Sequence, residues 1–148
     1  PFNAYGINEV PEREVGYAHV IPDLVKKIFD GQYPIELLGD GQQTRCFTHV
    51  SDIARGVIAI SLHKNGENED FNVGSAEEIK MIDLAKKIWE VMGMEKAFKV
   101  KYVPGFKFDI KRRVPNVDKI HKKIGWKQQV DFEDGLKEVV LWIKERQA

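Results

Sequence analysis

Basic side chains are concentrated in one segment of the chain, and that segment is where an anionic ligand would bind. The 148 residues carry 23 Lys+Arg and 23 Asp+Glu, so the formal net charge is zero. Residues 99–127 nevertheless hold ten basic residues against two acidic ones, whereas residues 66–95 are acidic. A block of positive charge attracts anions to its surface. Arg112 and Arg113 lie just before Pro115 and outside any helical pattern, so a ligand-binding role and a solvent-exposed role are both open for them.

The remaining reactive side chains do not form a recognisable catalytic or metal-binding motif. The four histidines are scattered, with no pair at the i, i+4 spacing that zinc sites on helices use. The single cysteine, Cys46, follows Arg45, but a small residue within a strand explains it as well as a reactive thiol does. No tyrosine is followed by a lysine four residues later, and Gly39 and Gly41 lack the third glycine of a dinucleotide-binding loop. We therefore predict neither a catalytic residue nor a metal ligand.

Helices and short strands alternate along the first half of the chain. Apolar residues at helical spacing predict a helix over residues 20–31, which Pro22 begins and Gly31 ends. Residues 34–38 form a short predicted strand, the turn Gly39-Asp40-Gly41 follows, and residues 44–50 are predicted to return as a second strand. The next helix, over residues 53–63, is apolar almost all round, which predicts burial between layers. Ser51 or Asp52 is expected to be its N-cap.

Predicted short strands and helices also alternate along the second half of the chain. Residues 70–74 are a predicted short strand, and residues 81–92 have the spacing of an amphipathic helix that Gly93 ends. Alternation of apolar and basic residues over 98–102 predicts a half-buried strand. A short helix is expected over residues 117–124, and Asp131 is expected to cap a last helix. The predicted fold class is α/β, with few short strands and flanking helices.

Length and composition limit the kind of protein further. A chain of 148 residues, 43% of them hydrophobic, is sufficient for one domain with its own core. The longest nearly apolar run, residues 56–62, is far shorter than the ~20 residues that cross a bilayer. One cysteine cannot form an internal disulfide, so a cytoplasmic location is the expectation. The chain starts at Pro1 with motif-like residues already at position 2, which suggests a fragment whose first half is missing.

Six segments, in order over nearly the whole chain, resemble the C-terminal half of extended short-chain dehydrogenase/reductases, the family of NAD-dependent epimerases and dehydratases of nucleotide sugars. They are Phe2-Asn3-Ala4-Tyr5-Gly6, Val20-Ile21-Pro22, Gly39-Asp40-Gly41-Gln42-Gln43-Thr44-Arg45, His49-Val50-Ser51-Asp52, Phe71-Asn72-Val73-Gly74, and Arg113-Val114-Pro115-Asn116 with Gly125-Trp126. Ile7 and Asn116 depart from the usual pattern, in which Pro and Asp stand at these places. The resemblance implies a small substrate lobe over residues 1–148, with the NAD-binding Rossmann half absent.

The resemblance also implies roles for individual residues. Asn3, Arg45 and Arg113 match positions that hold the substrate's diphosphate, and the planar fork of an arginine suits two phosphate oxygens at once. Phe2 matches a position near the nicotinamide. The nucleobase pocket would be lined by apolar side chains, for which core packing is the competing explanation; they are Val20, Ile21, Leu24, Ile35, Leu37 and Phe47. Asp52 also matches a family position, but a helix N-cap explains it without a ligand.

The function implied is that of a substrate-binding lobe in an NAD-dependent nucleotide-sugar epimerase or dehydratase. NAD would be held mainly by the absent half of the same polypeptide, so this chain alone is expected to be inactive. The full-length enzyme is expected to be a homodimer that binds neither nucleic acid nor membrane. A stand-alone nucleotide or nucleotide-sugar binding module without catalysis is the alternative. The nucleobase, the sugar and the reaction are left open.

Overall fold

A computed structural model describes residues 1–9 and 19–147, and within these ranges short strands alternate with longer helices. The strands are β1 (Ala4–Tyr5), β2 (Ile35–Leu38), β3 (Thr44–Arg45), β4 (Thr48–His49), β5 (Ile79–Lys80) and β6 (Val100–Val103). The helices are α1 (Val20–Phe29), α2 (Val50–Leu62), α3 (Met81–Val91), α4 (Asp118–Ile124) and α5 (Phe132–Gln147), with one 3-10 turn at Lys64–Gly66. The predicted α/β class is confirmed.

The strands pair two by two rather than in one broad sheet. β1 runs parallel to β4, with Ala4 opposite Thr48, and β2 runs parallel to β6, with Ile35 opposite Val100. β3 pairs antiparallel with β5, with Thr44 opposite Lys80. Parallel strands need long connections, which is why β2 meets β6 only after α2 and α3 have intervened.

The main core lies where α1, α3 and α5 pack on one another and on β2. Residues three or four positions apart on α1 share one face, and that face is fully buried. Ile21, Leu24, Val25 and Ile28 are all less than 3% exposed. A second, smaller cluster joins Val73, Val117, Ile120 and Trp126 beneath α2.

Most predicted elements are confirmed, but both strand predictions around α2 need correction. Residues 44–50 form two separate two-residue strands, and the first of them pairs with β5 instead of returning beside β2. Residues 70–74 form no strand. Val73 instead accepts one hydrogen bond from the backbone N–H of Phe2, at 3.0 Å. An isolated hydrogen bond of this kind gives a backbone group a partner where no neighbouring strand pairs with the segment.

The start of α2 differs from the prediction as well. The helix begins at Val50, and its N-cap is His49, whose ring nitrogen accepts a hydrogen bond from the backbone N–H of Ser51. Asp52 is not the cap. Its carboxylate is fully buried and accepts hydrogen bonds from the backbone N–H groups of Gln129 and Val130, each at 2.9 Å. It therefore ties α2 to the segment that precedes α5.

One apolar face of α2 is exposed, contrary to the prediction of burial between layers, and among the described residues of this helix only Ile53, Ala59 and Ile60 are partly buried apolar residues that pack on the smaller cluster. Val57, Ile58 and Leu62 are 49%, 58% and 83% exposed. The helix turns Asp52 and Gly56 inward instead, and a Cβ at Gly56 would lie 2.5 Å from Val73 Cγ1. Among residues 1–9 and 19–147, no helix combines the length and apolarity that crossing a bilayer requires.

Candidate functional site

A cavity of about 540 Å³ opens between α1, β2, β3 and the segment around β1. It brings together seven of the residues singled out from the sequence, which are Asn3, Val20, Ile21, Leu24, Leu37, Arg45 and Phe47. They come from four separate segments of the chain. The fold therefore collects most of the predicted binding residues at one site.

One wall of the cavity is apolar. Val20 and Leu24 lie one turn apart on the same face of α1, and Leu37 faces them from β2. Phe47 adds an aromatic ring that stacks on Phe132, with ring centroids 5.8 Å apart. A flat apolar ligand group could be enclosed here, because the lining side chains are already fixed by the core behind them.

The other end of the cavity is polar and contains Arg45. Its Nη1 donates to the carbonyl oxygens of Thr44, at 2.8 Å, and Ile110, at 2.6 Å. Its Nη2 donates to Asp109 Oδ1 at 2.8 Å. The guanidinium is thus held in the cavity wall by three contacts, two of which come from the loop after β6.

Asn3 lies beside this end of the cavity. Its side-chain amide donates to the carbonyl oxygen of Cys46 at 2.8 Å, and its backbone φ is +36°, a left-handed value that asparagine tolerates better than most residues. The side chain therefore joins the β1 segment to the chain between β3 and β4. Its Oδ1 has no hydrogen-bond partner among the described residues.

Three predicted residues lie outside the lining. Ile35 is completely buried in the core behind the cavity. Arg113 is exposed, and Phe2 contacts Gly74 instead, where an added Cβ would lie 3.1 Å from Phe2 Cβ. Their binding roles stay predictions.

The neighbouring arginine, Arg112, is engaged in a structural ion pair. Its Nε donates to Glu78 Oε1 at 3.0 Å, and Thr44 also donates to that carboxylate. The hydrogen bonds from Thr44 and Arg112 lower the pKa of Glu78. This network joins β3 to the segment before β5, so it contributes to the frame of the cavity rather than to its lining.

Several lining residues were not predicted from the sequence. Asp23 and Lys27 continue the face of α1 that carries Val20 and Leu24, and they form an ion pair at 2.8 Å. The i, i+3, i+7 spacing from Val20 is a signal that could have identified them. Phe106 and Asp109, by contrast, reach the cavity from a loop without helix or strand, for which no spacing rule exists.

Buried polar groups near the site do not indicate nucleophilic or metal chemistry. Burial raises the pKa of the Cys46 thiol, which is completely inaccessible, and burial also raises the pKa of Tyr5. A thiol of this kind is inert at neutral pH. Over the described ranges, no three His, Cys, Asp or Glu side chains gather in a way that could hold a metal ion.

Comparison with known proteins identifies the family. The family model described as GDP-mannose 4,6 dehydratase matches residues 1–139. A UDP-N-acetyl-alpha-D-glucosaminuronate decarboxylase of Bacillus cytotoxicus is 34% identical, over 97% of this chain and 44% of the relative.

Solved structures of nucleotide-sugar enzymes also match the chain. The chain resembles a UDP-glucose 4-epimerase of Thermotoga maritima, solved with UDP-glucose, with a TM-score of 0.85 and 28% identity over 99% of this chain and 45% of that one. It also resembles a dTDP-glucose 4,6-dehydratase of Streptomyces venezuelae, solved with NAD, with a TM-score of 0.84 and 28% identity over 99% of this chain and 42% of that one.

The chain spans less than half the length of each of these three proteins. The family model nevertheless covers every described element up to the first half of α5, including those that form the cavity. The chain therefore belongs to the GDP-mannose 4,6-dehydratase family of NAD-dependent nucleotide-sugar epimerases and dehydratases, and it corresponds to their C-terminal region.

Proposed function

We propose that the cavity binds the nucleoside diphosphate of a nucleotide sugar, as the substrate-binding part of an NAD-dependent epimerase, dehydratase or decarboxylase. The observation that carries the proposal is the arrangement of the cavity, which joins an apolar wall to an arginine and an asparagine in one space. A nucleotide sugar has the same division, with a flat base at one end and two phosphates in the middle. The named relatives act on substrates of this class.

The predicted binding residues have distinct physical roles in this proposal. Arg45 and Asn3 bind the diphosphate, since charge-assisted hydrogen bonds to phosphate oxygens are the strongest polar contacts available here. Val20, Leu24 and Leu37 enclose the base, and Phe47 contributes an aromatic edge. Arg113 is proposed as the second arginine of the diphosphate clamp, which requires its exposed side chain to turn toward the polar end when ligand arrives.

The described residues do not fit the NAD group itself. A dinucleotide pyrophosphate is bound where glycines lead from a strand into a helix N-terminus. Gly39 and Gly41, with φ of +72° and +69°, instead lead from β2 into the short strand β3. No step through NAD is therefore assigned to this chain. Its share is to bind and orient the sugar nucleotide, and holding a reactant in position is itself a large part of enzymatic rate enhancement.

We further propose that the NAD-binding part is the N-terminal half of the same polypeptide. The exposed apolar face of α2 supports this, because Val57, Ile58 and Leu62 form a stripe that would favour a covering layer. Catalysis, a homodimer and a cytoplasmic location would then belong to the longer enzyme.

The direct test is calorimetric titration of the chain with UDP, dTDP and GDP, followed by the same titration of Arg45→Ala. We expect one of the diphosphates to bind and Arg45→Ala to weaken it by about 10- to 150-fold, which corresponds to about 1.5–3 kcal/mol for a charge-assisted hydrogen bond. Arg146→Ala is the matched control, because this exposed arginine stacks on Trp142 far along α5. Equal affinity of the parent chain and Arg45→Ala would refute the role of Arg45.

Arg113→Ala tests the clamp separately. We expect it to weaken diphosphate binding and to leave uridine binding unchanged, since a nucleoside carries no phosphate. An unchanged affinity for the diphosphate would remove Arg113 from the site.

A further inference from the structure

The arginine at the polar end of the cavity already holds an anion of its own chain. Arg45 Nη2 donates to the Asp109 carboxylate at 2.8 Å, and both side chains line the cavity. The Arg45 side chain is 17% exposed and that of Asp109 is 34% exposed. The pair is thus partly shielded from water, where an ion pair is stronger than on an open surface.

The loop that carries Asp109 is attached by backbone hydrogen bonds at both ends, and Arg45 holds it in between. At one end Gly39 N–H donates to the carbonyl oxygen of Val103, and at the other Thr44 N–H donates to that of Lys111, both at 2.9 Å. Residues 104–110 contain no helix or strand, and Phe108 is 88% exposed. Among the described contacts, Arg45 is the group that binds Asp109 and the carbonyl of Ile110.

The Arg45–Asp109 ion pair affects which anions the cavity binds. Asp109 cancels the charge of Arg45, so a simple anion gains little attraction when it enters the cavity. Such an anion also meets a carboxylate next to the only arginine among the described lining residues. A ligand that fills the apolar wall as well gains additional binding energy, which offsets the competition. The competition weakens every ligand that uses Arg45 by the same factor, so only a ligand with this additional energy binds appreciably.

We propose that Asp109 competes for Arg45 and thereby sets an affinity threshold, so that anions without a base to fill the apolar wall do not bind appreciably. This inference rests on the proposed function, because it assumes that Arg45 binds the diphosphate. It adds a residue that opposes the binding of every diphosphate, which makes the contribution of the base necessary for appreciable affinity.

The test compares the parent chain with Asp109→Asn, which keeps the shape of the side chain and removes its charge. Inorganic pyrophosphate, UDP, dTDP, GDP and uridine are titrated by calorimetry into both. We expect Asp109→Asn to bind pyrophosphate and the preferred nucleoside diphosphate more tightly by a similar factor, about fivefold, and to bind uridine equally.

The matched control is Asp70→Asn, which removes one negative charge at a fully exposed carboxylate outside the cavity. It should leave all affinities unchanged, and thermal melts should show that every variant is folded. Unchanged or weaker pyrophosphate binding by Asp109→Asn would overturn the inference. Weaker binding of uridine would also overturn it, because Asp109 would then contact the nucleoside directly.

These outcomes are separable from failure of the proposed function. If the parent chain binds a nucleoside diphosphate through Arg45 but Asp109→Asn brings no gain, only the inference fails. If neither chain binds any of the diphosphates, the proposed function fails and the inference fails with it.

Discussion

Helices α1 and α2 have similarly apolar sequences, but their apolar faces lie in different environments. On α1, the face that carries Leu24, Val25 and Ile28 is completely buried against α3 and α5. On α2, Asp52 and Gly56 are the buried residues, and Ile58 and Leu62 point away from the chain. The comparison teaches that the apolarity of a helix does not by itself determine whether its apolar face is packed within the same chain.

The two helices also differ in what holds them in place. Hydrophobic burial holds α1, which can therefore form a rigid wall of the cavity. The buried Asp52, a close approach at Gly56 and only partly buried apolar residues on the smaller cluster hold α2. Stability changes should follow this division, and the following substitutions test it.

The largest effect is expected from Leu24→Ala on α1. Leu24 is 1% exposed, and truncation of such a residue leaves a cavity that costs about 2–5 kcal/mol. Ile58→Ala, on the exposed face of α2, should change the free energy of unfolding by no more than about 0.5 kcal/mol. Urea denaturation of both variants measures the difference. Similar losses for the two variants would contradict the assignment of Ile58 to an uncovered face.

The next largest effect is expected from Asp52→Ala on α2. The substitution leaves the N–H groups of Gln129 and Val130 without their acceptor, and it removes the partner of Arg55. Hydrogen bonds to a charged group are worth about 1.5–3 kcal/mol each, and contributions from neighbouring contacts add only in part, so we expect a loss of about 2–4 kcal/mol in urea denaturation. Asp134→Ala, on the exposed side of α5, is the control. A loss below about 1 kcal/mol for Asp52→Ala would show that it is not an anchor.

A smaller effect is expected from Gly56→Ala. Alanine favours a helix over glycine by about 1 kcal/mol, so helix propensity alone predicts stabilisation. The new Cβ would lie 2.5 Å from Val73 Cγ1 and 3.2 Å from the Trp126 ring, and overpacking of this kind costs about 1–3 kcal/mol. We therefore expect a net loss of about 1 kcal/mol in thermal melts. A gain in stability would mean that α2 shifts outward easily and is not closely packed.

The smallest effect is expected for the pH dependence of stability, which comes from ion pairs outside the packing faces of α1 and α2. Hydrogen bonds from Lys123 and Lys119 lower the pKa of Glu69 to about 2. A carboxyl whose pKa is lower in the folded than in the unfolded state stabilises the fold above its unfolded value and loses that contribution as the pH falls. The gap in melting temperature between the parent chain and Glu69→Gln should therefore narrow from pH 6 to pH 3. A constant gap would show that the ion pairs contribute nothing.

Local sequence patterns were sufficient for the helices, for most turns and for the residue types of the site. Apolar spacing located α1 and α3, and Asp131 caps α5 as predicted by accepting from the N–H groups of Glu133 and Asp134. These features depend on contacts within a few residues, so the pattern is enough. The division of residues 44–50 into two strands was not predictable, because each strand pairs with a partner far away in the chain.

The sequence by itself determined the α/β class, the positions of α1 and α3, and the resemblance that pointed to Asn3, Arg45 and Phe47. Tertiary structure alone decided that these three lie around one cavity with α1, that Asp109 engages Arg45, and that Asp52 is a buried anchor. Segments separated by more than 40 residues meet there, and no local rule specifies which of several equivalent side chains will be neighbours. For the same reason, only the tertiary structure decides that the apolar face of α1 is packed and that one apolar face of α2 is uncovered.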